Sequence, residues 1–240
     1  GRFPLGLHLD VLEDVDQQWS IDDIASGRFD DQFQTANDDA PSFGYTASAY
    51  WLRLQLKNAS SAPTRWVLEL GNPTLDHIDL YASASVADQL FYGSGYPATA
   101  DRIAVPPQVA NVSRGYGGLT EFKAVKTGDR LPFGSRPLAY RNAAFPLELQ
   151  GEQSVTLYLR VASKGSLQVP LVLWAPTTFA EQLHVESIIQ GVFVGIMLVM
   201  VLYNAFIFFS VRDISYLYYV LYVGFALVYF TTDHGLSFEL

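Results

Sequence analysis

The stretch from Tyr50 to Lys57, Tyr-Trp-Leu-Arg-Leu-Gln-Leu-Lys, determines the fold class because every second side chain in it is an apolar one suited to a core. A period of two is typical of a β-strand that packs one face on a hydrophobic core. The sequence therefore predicts a strand here, with Tyr50 and the three leucines facing inward. Trp51 and Arg53 are expected on the outward face.

The same period recurs on both sides of this strand, and turn-forming residues separate the runs. The runs are Trp66–Leu70, His77–Tyr81, Val155–Val161 and Leu167–Leu173, with turn clusters at 58–64, 71–74 and 151–153. Half-buried strands joined by turns predict an antiparallel β-sandwich. Because proline cannot donate a ladder hydrogen bond, Pro170 in the last run indicates a sheet edge or a bulge.

Two segments between the strands depart from this alternation. Ser20-Ile-Asp-Asp23 has the form of a capping box and predicts one short helix that ends at Gly27. Residues 92–122 contain five glycines and three prolines with weak periodicity. We expect them to form a long inserted excursion between two strands.

The composition changes near residue 187. Residues 187–209 read SIIQGVFVGIMLVMVLYNAFIFF, 23 residues without a charge, and residues 214–232 form a second uncharged run. A helix of the first length spans about 35 Å, enough to cross a bilayer core of about 30 Å. The two runs therefore predict a two-helix transmembrane hairpin, whose ends lie on one side of the membrane.

The charge distribution orients this hairpin. Arg212, in the turn between the two runs, is the only Lys or Arg after Lys164, so the positive-inside rule favours a cytoplasmic turn. The domain that precedes the hairpin is acidic and is placed outside the cytoplasm. We predict an extracytoplasmic domain over residues 1–183, followed by the first two membrane helices over residues 184–240.

Composition also excludes several functions. The chain has no cysteine, which rules out disulfides, zinc fingers, iron–sulfur clusters and thiol catalysis. Its net charge of −9 disfavours nucleic-acid partners. The sequence has no phosphate-binding loop, metalloprotease motif or nucleophile elbow, and its four histidines are far apart. We expect no enzyme activity and no cofactor in this segment.

Four ordered motifs resemble a known receptor family. They are Phe43-Gly-Tyr-Thr-Ala-Ser-Ala-Tyr-Trp-Leu-Arg53; Leu75-Asp-His-Ile-Asp-Leu-Tyr81; Thr127-Gly-Asp-Arg-Leu-Pro-Phe133 with Arg136-Pro137 and Tyr140-Arg-Asn142; and Leu157-Tyr-Leu-Arg-Val161 with Gly165-Ser-Leu-Gln-Val-Pro170 and Leu173-Trp174. Together they resemble the extracellular domain of bacterial seven-transmembrane receptors with diverse intracellular signalling modules. The resemblance covers about residues 5–180, and the hairpin resembles the first membrane helices of that family.

The resemblance implies a jelly-roll-like β-sandwich, similar to carbohydrate-binding modules, in the periplasm of a bacterial inner-membrane receptor. It also implies seven helices followed by a diguanylate cyclase or a histidine kinase. This chain departs from the family pattern in two ways. It stops after two helices, as a fragment of a longer receptor would, and it contains the excursion at 92–122 where relatives have a short connection.

The residues expected to bind a ligand combine positive charge, amide groups and an aromatic ring. They are Trp51, Arg53, Arg136, Arg141, Asn142 and Gln168, which belong to the four motifs. Sugars bind through aromatic stacking and planar hydrogen-bonding groups. We therefore predict a small polar ligand, a carbohydrate or its acidic derivative, with Trp51 as the stacking surface.

Three other interpretations of these residues stay open. Arg53 and Arg141 can pair inside the domain with Asp76, Asp79 or Asp129. Asp76 and Asp79 can instead bind calcium, which prefers oxygen ligands. The domain can also recognise a protein partner. A glycan-processing enzyme is less favoured, because alternation places Asp76 and Asp79 on opposite faces of their strand.

The first membrane helix contains a stripe of small residues. Ser187, Gly191 and Gly195 recur every four residues, a spacing that lets helices approach closely. Gln190 and Asn204 are expected to face neighbouring helices, because an amide is costly in lipid. The expected partners are the bilayer and the remaining helices of the receptor, and a homodimer is left open.

Overall fold

The computed structural model describes residues 1–91, 109–113 and 121–233, and the chain divides into two compact units, Gly1–Pro176 and Thr177–Leu240. This division precedes the predicted boundary at residue 183, because a long helix already begins at Pro176. The regular secondary structure described in the first unit is mainly antiparallel β-strand, as predicted, and the second unit contains two apolar helices.

The strands of the described residues are short at the N-terminus and longer in the middle of the chain. In chain order they are β1 (Arg2–Pro4), β2 (Asp10–Asp14), β3 (Gln34–Thr35), β4 (Ser42–Tyr45), β5 (Ala49–Lys57), β6 (Thr64–Leu70), β7 (His77–Ser83), β8 (Val109–Ser113), β9 (Phe122–Thr127), β10 (Ala143–Leu149), β11 (Ser154–Ala162), β12 (Ser166–Gln168) and β13 (Leu171–Trp174). The helices are α1 (Ile21–Ala25), α2 (Ala84–Phe91), α3 (Pro176–Val211) and α4 (Ile214–Asp233), with one-turn 3-10 helices at Gly6–His8, Asp30–Gln32 and Phe133–Ser135.

Two antiparallel sheets form the sandwich. The larger sheet has seven strands in the order β3-β2-β5-β11-β7-β9-β8, and the smaller has four in the order β1-β13-β6-β10. β5 pairs with β11 along its whole length, from Ala49 opposite Ala162 to Lys57 opposite Ser154. The predicted β5 strand is therefore an interior strand of the larger sheet, between β2 and β11.

The main hydrophobic core lies between the two sheets. Tyr50 and Leu52 from the larger sheet and Leu68, Leu70 and Phe145 from the smaller sheet belong to one buried cluster. The inward face of β5 is therefore the one that its alternation predicts. Removing such side chains from water is the main favourable contribution to folding, at about 25 cal/mol per Å² of apolar surface.

A second hydrophobic cluster covers the outer face of the larger sheet. Trp51 is 0% exposed and packs there with Ile21 and Ile24 of α1 and with Phe29. Helix α1 begins where the sequence predicts, because Ser20 and the Asp23 side chain form both hydrogen bonds of a capping box. The expectation that the Trp51 ring is accessible on the outward face is wrong, since α1 covers this ring.

The predicted strand Leu167–Leu173 is two strands. β12 pairs with β4 in a separate two-stranded sheet, whereas β13 lies between β1 and β6. The break falls at Val169 and Pro170, which agrees with the interruption that the proline indicated.

Most of the predicted excursion at 92–122 lies outside the described residues. Its described part includes β8, which pairs antiparallel with β9 at one end of the larger sheet. Helix α2 precedes it and ends at Phe91, which is buried in the main core.

Helix α3 begins well before the first uncharged run, whereas α4 nearly coincides with the second. α3 begins at Pro176, before the predicted Ser187, because proline is favoured in the first turn of a helix. Within the described residues, α3 is the one helix that is long and apolar enough to cross a membrane, with a mean hydropathy of 2.5 in its most apolar window. α4 is shorter, and Asp213 caps its start by accepting a hydrogen bond from the Ser215 backbone.

Candidate functional site

Arg53 lies on the outer face of the larger sheet and is bound within the domain. Its guanidinium donates to Asp30 Oδ1 at 2.6 Å and to Asp10 Oδ2 at 3.2 and 3.3 Å, and its charged end lies 4.4 Å from the centre of the Phe33 ring. Burial disfavours the charged form, but these hydrogen bonds outweigh it and raise the pKa of Arg53. Arg53 therefore does pair inside the domain, but the expected partners Asp76, Asp79 and Asp129 are wrong, because Asp10 and Asp30 occupy the guanidinium.

Arg136 and Asn142 are also buried among protein groups. Arg136 donates to the Tyr140 carbonyl oxygen at 2.9 Å and to the Arg141 carbonyl oxygen. Asn142 donates to Glu69 Oε1 at 2.7 Å. Burial lowers the pKa of Arg136, and the charge of Asp129 opposes that change. Both predicted site residues thus stabilise the segment that leads into β10.

The predicted ligand-binding residues do not converge on one place. Asn142 bonds to Glu69 on the outer face of the smaller sheet, whereas Trp51 and Arg53 lie on the outer face of the larger sheet. Arg141 is half-buried beside the Tyr140 ring, and Gln168 is exposed on β12. A single site that combines both groups of residues is therefore not formed in this structure.

The two aspartates of the calcium interpretation already have protein partners. Asp76 lies 3.5 Å from Arg130 Nε and accepts a hydrogen bond from the Lys164 backbone at 3.0 Å. Asp79 lies 3.9 Å from Arg160; burial raises the pKa of Asp79, and the charges of Lys126 and Arg160 oppose that rise. Over residues 1–91, 109–113 and 121–233, no group of three or more His, Cys, Asp or Glu side chains could hold a metal ion.

A cavity of about 690 Å³ lies beside β2 and β3, and none of the predicted ligand-binding residues is in its described lining, although Gln168 pairs across strands with Ser42 of that lining. Its lining residues come from four separate parts of the first unit. They are Val11, Leu12, Glu13, Gln32, Gln34, Thr35, Ala36, Asn37, Asp38, Pro41, Ser42, Phe43 and Tyr50. We call this feature the β2–β3 cavity. Its volume falls in the range of about 300–1,000 Å³ that is usual for small-molecule sites.

The walls of the β2–β3 cavity combine amide, carboxylate and aromatic groups. Gln32, Gln34 and Asn37 contribute exposed amides to the lining. The lining also includes Phe43 and Tyr50, whose rings are stacked with centroids 3.9 Å apart and an angle of 16° between their planes. The arrangement can form several hydrogen bonds with a ligand and also offers it an apolar surface.

Glu13 is fixed in the cavity wall by two hydroxyl groups. Ser48 Oγ donates to Glu13 Oε1 at 2.6 Å. Burial raises the pKa of Tyr50, and its hydrogen bond with Glu13 adds to the rise. Tyr50 therefore stays protonated at neutral pH.

Sequence reasoning missed this site because no single segment forms it. Its clearest sequence signal is Gln32-Phe-Gln-Thr-Ala-Asn37, a run of amide and hydroxyl side chains between two acidic pairs. Phe43 and Tyr50 of the lining belong to the first family motif, whereas Trp51 and Arg53, the residues predicted from that motif to bind a ligand, do not line the cavity.

The fold defines a class of protein: a β-sandwich domain joined directly to an apolar helix long enough to span a membrane. Two family models match the chain, 7TMR-DISM extracellular 2 over residues 6–175 and 7TM diverse intracellular signalling over residues 186–240. No curated protein matches it. The chain belongs to the 7TMR-DISM receptor family and comprises its extracellular sensor domain and the start of its membrane region.

Proposed function

We propose that residues 6–175 sense a small carbohydrate-like ligand in the periplasm, and that the β2–β3 cavity binds it. The observation that supports this proposal is the cavity itself, whose lining combines exposed amides with a stacked pair of aromatic rings. Sugar hydroxyls form hydrogen bonds with amides, and the apolar faces of sugar rings pack on aromatic surfaces.

Ligand binding would be transmitted to a bundle of transmembrane helices that includes more helices than α3 and α4. In this proposal α3 and α4 are the first helices of a receptor in a bacterial inner membrane, and a cyclase or kinase domain in the cytoplasm supplies the output. Gly191 and Gly195 would pack against those further helices: within the described part of the chain a Cβ added at either glycine meets no atom within 4 Å, so both positions are open to close approach by another helix.

The two amides of α3 differ in how they are satisfied. Asn204 donates to the Met200 carbonyl oxygen of its own helix at 2.8 Å. Gln190 is half-buried on the same helix. In the proposed bundle Gln190 faces a neighbouring helix, because an amide exposed to lipid is costly.

Ligand binding can be tested on the full chain in detergent micelles. All four tryptophans lie at or before Trp174, so their fluorescence reports melting of the sensor domain alone. A ligand at 100 times its Kd adds about 2.7 kcal/mol, or about 5–10 °C in Tm for a unit of this size. Glucose, N-acetylglucosamine and glucosamine are the probes, and calcium chloride with and without EDTA tests the alternative ligand.

Gln34→Ala removes one amide from the cavity wall and is expected to abolish the shift. Gln55→Ala is the matched control, because Gln55 is an exposed amide on the same sheet that does not line the cavity. A shift that survives Gln34→Ala would place the ligand elsewhere. A shift that EDTA abolishes would identify calcium as the ligand instead.

A further inference from the structure

The charged side chains in the described lining of the β2–β3 cavity are all acidic. Among the residues that the structure describes, its lining includes the carboxylates of Glu13 and Asp38 but no Lys, Arg or His. The chain as a whole has a net charge of −9, so distant residues do not reverse the sign. A low-dielectric wall strengthens such a field, which attracts cationic groups and repels carboxylates.

Both carboxylates are oriented before any ligand arrives. Ser48 and Tyr50 donate hydrogen bonds to Glu13, and the Ala40 backbone N–H donates to Asp38 Oδ1 at 3.2 Å. An ionised carboxylate has about four acceptor positions, so these bonds fix the side chain and leave capacity for a ligand donor. Such orientation lowers the entropy that binding must overcome.

The aromatic part of the wall favours the same ligand charge. Phe43 is half-buried in the lining and stacks on Tyr50. The face of an aromatic ring attracts a cation within about 6 Å of its centre. An ammonium group bound here would therefore interact favourably with carboxylates and with the ring.

The arginine on the same strand as Tyr50 does not neutralise the cavity. Arg53 lies on the outer face of the larger sheet, whereas Tyr50 lies on the inner face. Its guanidinium is also occupied by Asp10 and Asp30.

We infer that the β2–β3 cavity binds a sugar-sized ligand that bears an ammonium group, such as an amino sugar, and rejects carboxylated sugars. This inference rests on the proposed function and specifies the ligand class of the same site. It differs from the sequence-based expectation of a carbohydrate or its acidic derivative at a cluster of arginines.

The test compares three sugars that differ mainly in charge: glucosamine, N-acetylglucosamine and glucuronate. Calorimetry on the full chain in micelles should give glucosamine the lowest Kd and glucuronate no measurable heat. Glu13→Gln keeps an acceptor for Ser48 but loses the charge, and it should weaken glucosamine binding about 10- to 100-fold, as the loss of a charge-assisted hydrogen bond does. Asp16→Asn is the matched control, because Asp16 is exposed and lies outside the cavity lining.

Raising the ionic strength supplies a second readout. The preference for glucosamine over N-acetylglucosamine should shrink between 0.01 and 1 M salt, where the Debye length falls from about 30 to about 3 Å. Equal affinity for these two sugars would overturn the ammonium inference and leave the proposed function standing. Binding of glucuronate at least as tight as that of glucosamine would overturn it as well. If none of the three sugars binds, both the inference and the proposed cavity site are wrong.

Discussion

The outer face of the larger sheet and the β2–β3 cavity use polar and aromatic residues in opposite ways. On the outer face, Trp51 is buried under α1, and Arg53 is bonded to two aspartates. In the cavity, the amides of Gln34 and Asn37 are exposed. The comparison teaches that an arginine or tryptophan in a motif is a poor indicator of a ligand site until its partners are known.

The outer face of the smaller sheet resembles the covered face rather than the cavity. There Glu69 is buried and accepts hydrogen bonds from Asn142 and from Trp174 Nε1, both at 2.7 Å. A buried carboxylate with two donors is satisfied by the protein itself. The presence of a carboxylate at position 69 of β6 is therefore explained by its contribution to the stability of the domain.

Trp51→Ala is the change expected to separate the covered face from the cavity most strongly. It leaves a void beneath α1, where the ring packs with Ile24 and Tyr81. Truncating a fully buried tryptophan typically costs about 3–5 kcal/mol. The loss is measured by thermal unfolding of the full chain, monitored by the far-UV circular dichroism of its β-structure.

Trp51→Phe is the control for this prediction. It refills most of the void, and it removes an indole N–H that donates to no group within the described part of the chain. We expect it to cost less than half as much as Trp51→Ala. Equal losses from the two variants would contradict the packing role of the ring.

Glu69→Ala is expected to have the next largest effect, about 3 kcal/mol, because it removes the buried carboxylate that accepts from the Asn142 amide and from the Trp174 N–H. Urea unfolding gives the value. Glu148→Ala is the matched control on the neighbouring strand, where the Glu148 pair with Arg65 is partly exposed and worth under about 1 kcal/mol. Similar losses for both variants would show that the buried network adds nothing.

The sequence predicted the elements whose signals are local. The inward faces of β5, β6 and β11 followed from alternation, and α1 followed from its capping box. The sequence analysis missed the start of α3 because Glu181 and Glu186 make the first turns of this helix polar. In the structure these polar turns and the apolar segment form one uninterrupted helix. Short strands such as β3, with two residues, contain no measurable period.

The β2–β3 cavity could not be predicted for a different reason. Its walls are separated along the chain, from Glu13 to Tyr50, and only the sheet order brings them together. Alternation correctly placed Arg53 on the face opposite the main core. It could not reveal that Asp10 and Asp30 would occupy the guanidinium, because Asp30 lies in a 3-10 helix outside the sheet.

Arg53→Ala tests whether a motif arginine serves the fold or the ligand. We expect a loss of about 1–2 kcal/mol in unfolding free energy, since two hydrogen-bonded ion pairs, with Asp10 and with Asp30, disappear from a partly exposed site. The Kd of the cavity ligand should stay unchanged in calorimetry. Arg53→Lys keeps the charge but not the planar guanidinium, and should recover part of the stability. A large rise in Kd without a loss of stability would show that Arg53 contributes to ligand binding rather than to the fold.

The smallest expected effect concerns the cap of the helix that covers Trp51. Ser20→Ala removes a hydroxyl that accepts from the Asp23 backbone N–H and donates to the Asp23 carboxylate at 2.6 Å, and losing such a cap costs about 1 kcal/mol. Hydrogen bonds from the Ser20 hydroxyl and backbone lower the pKa of Asp23 below 3.8, so their stabilising contribution is complete at neutral pH and is lost as pH falls through that lowered pKa. The difference in unfolding free energy between wild type and Ser20→Ala should therefore be largest near pH 7 and shrink below about pH 4.

In an Asp23→Asn background the same difference should not vary with pH, and a constant difference in the parent background would show that the carboxylate bond contributes nothing. Ligand affinity at pH 7 should be equal in all four proteins, because α1 covers the sheet and contributes no residue to the cavity.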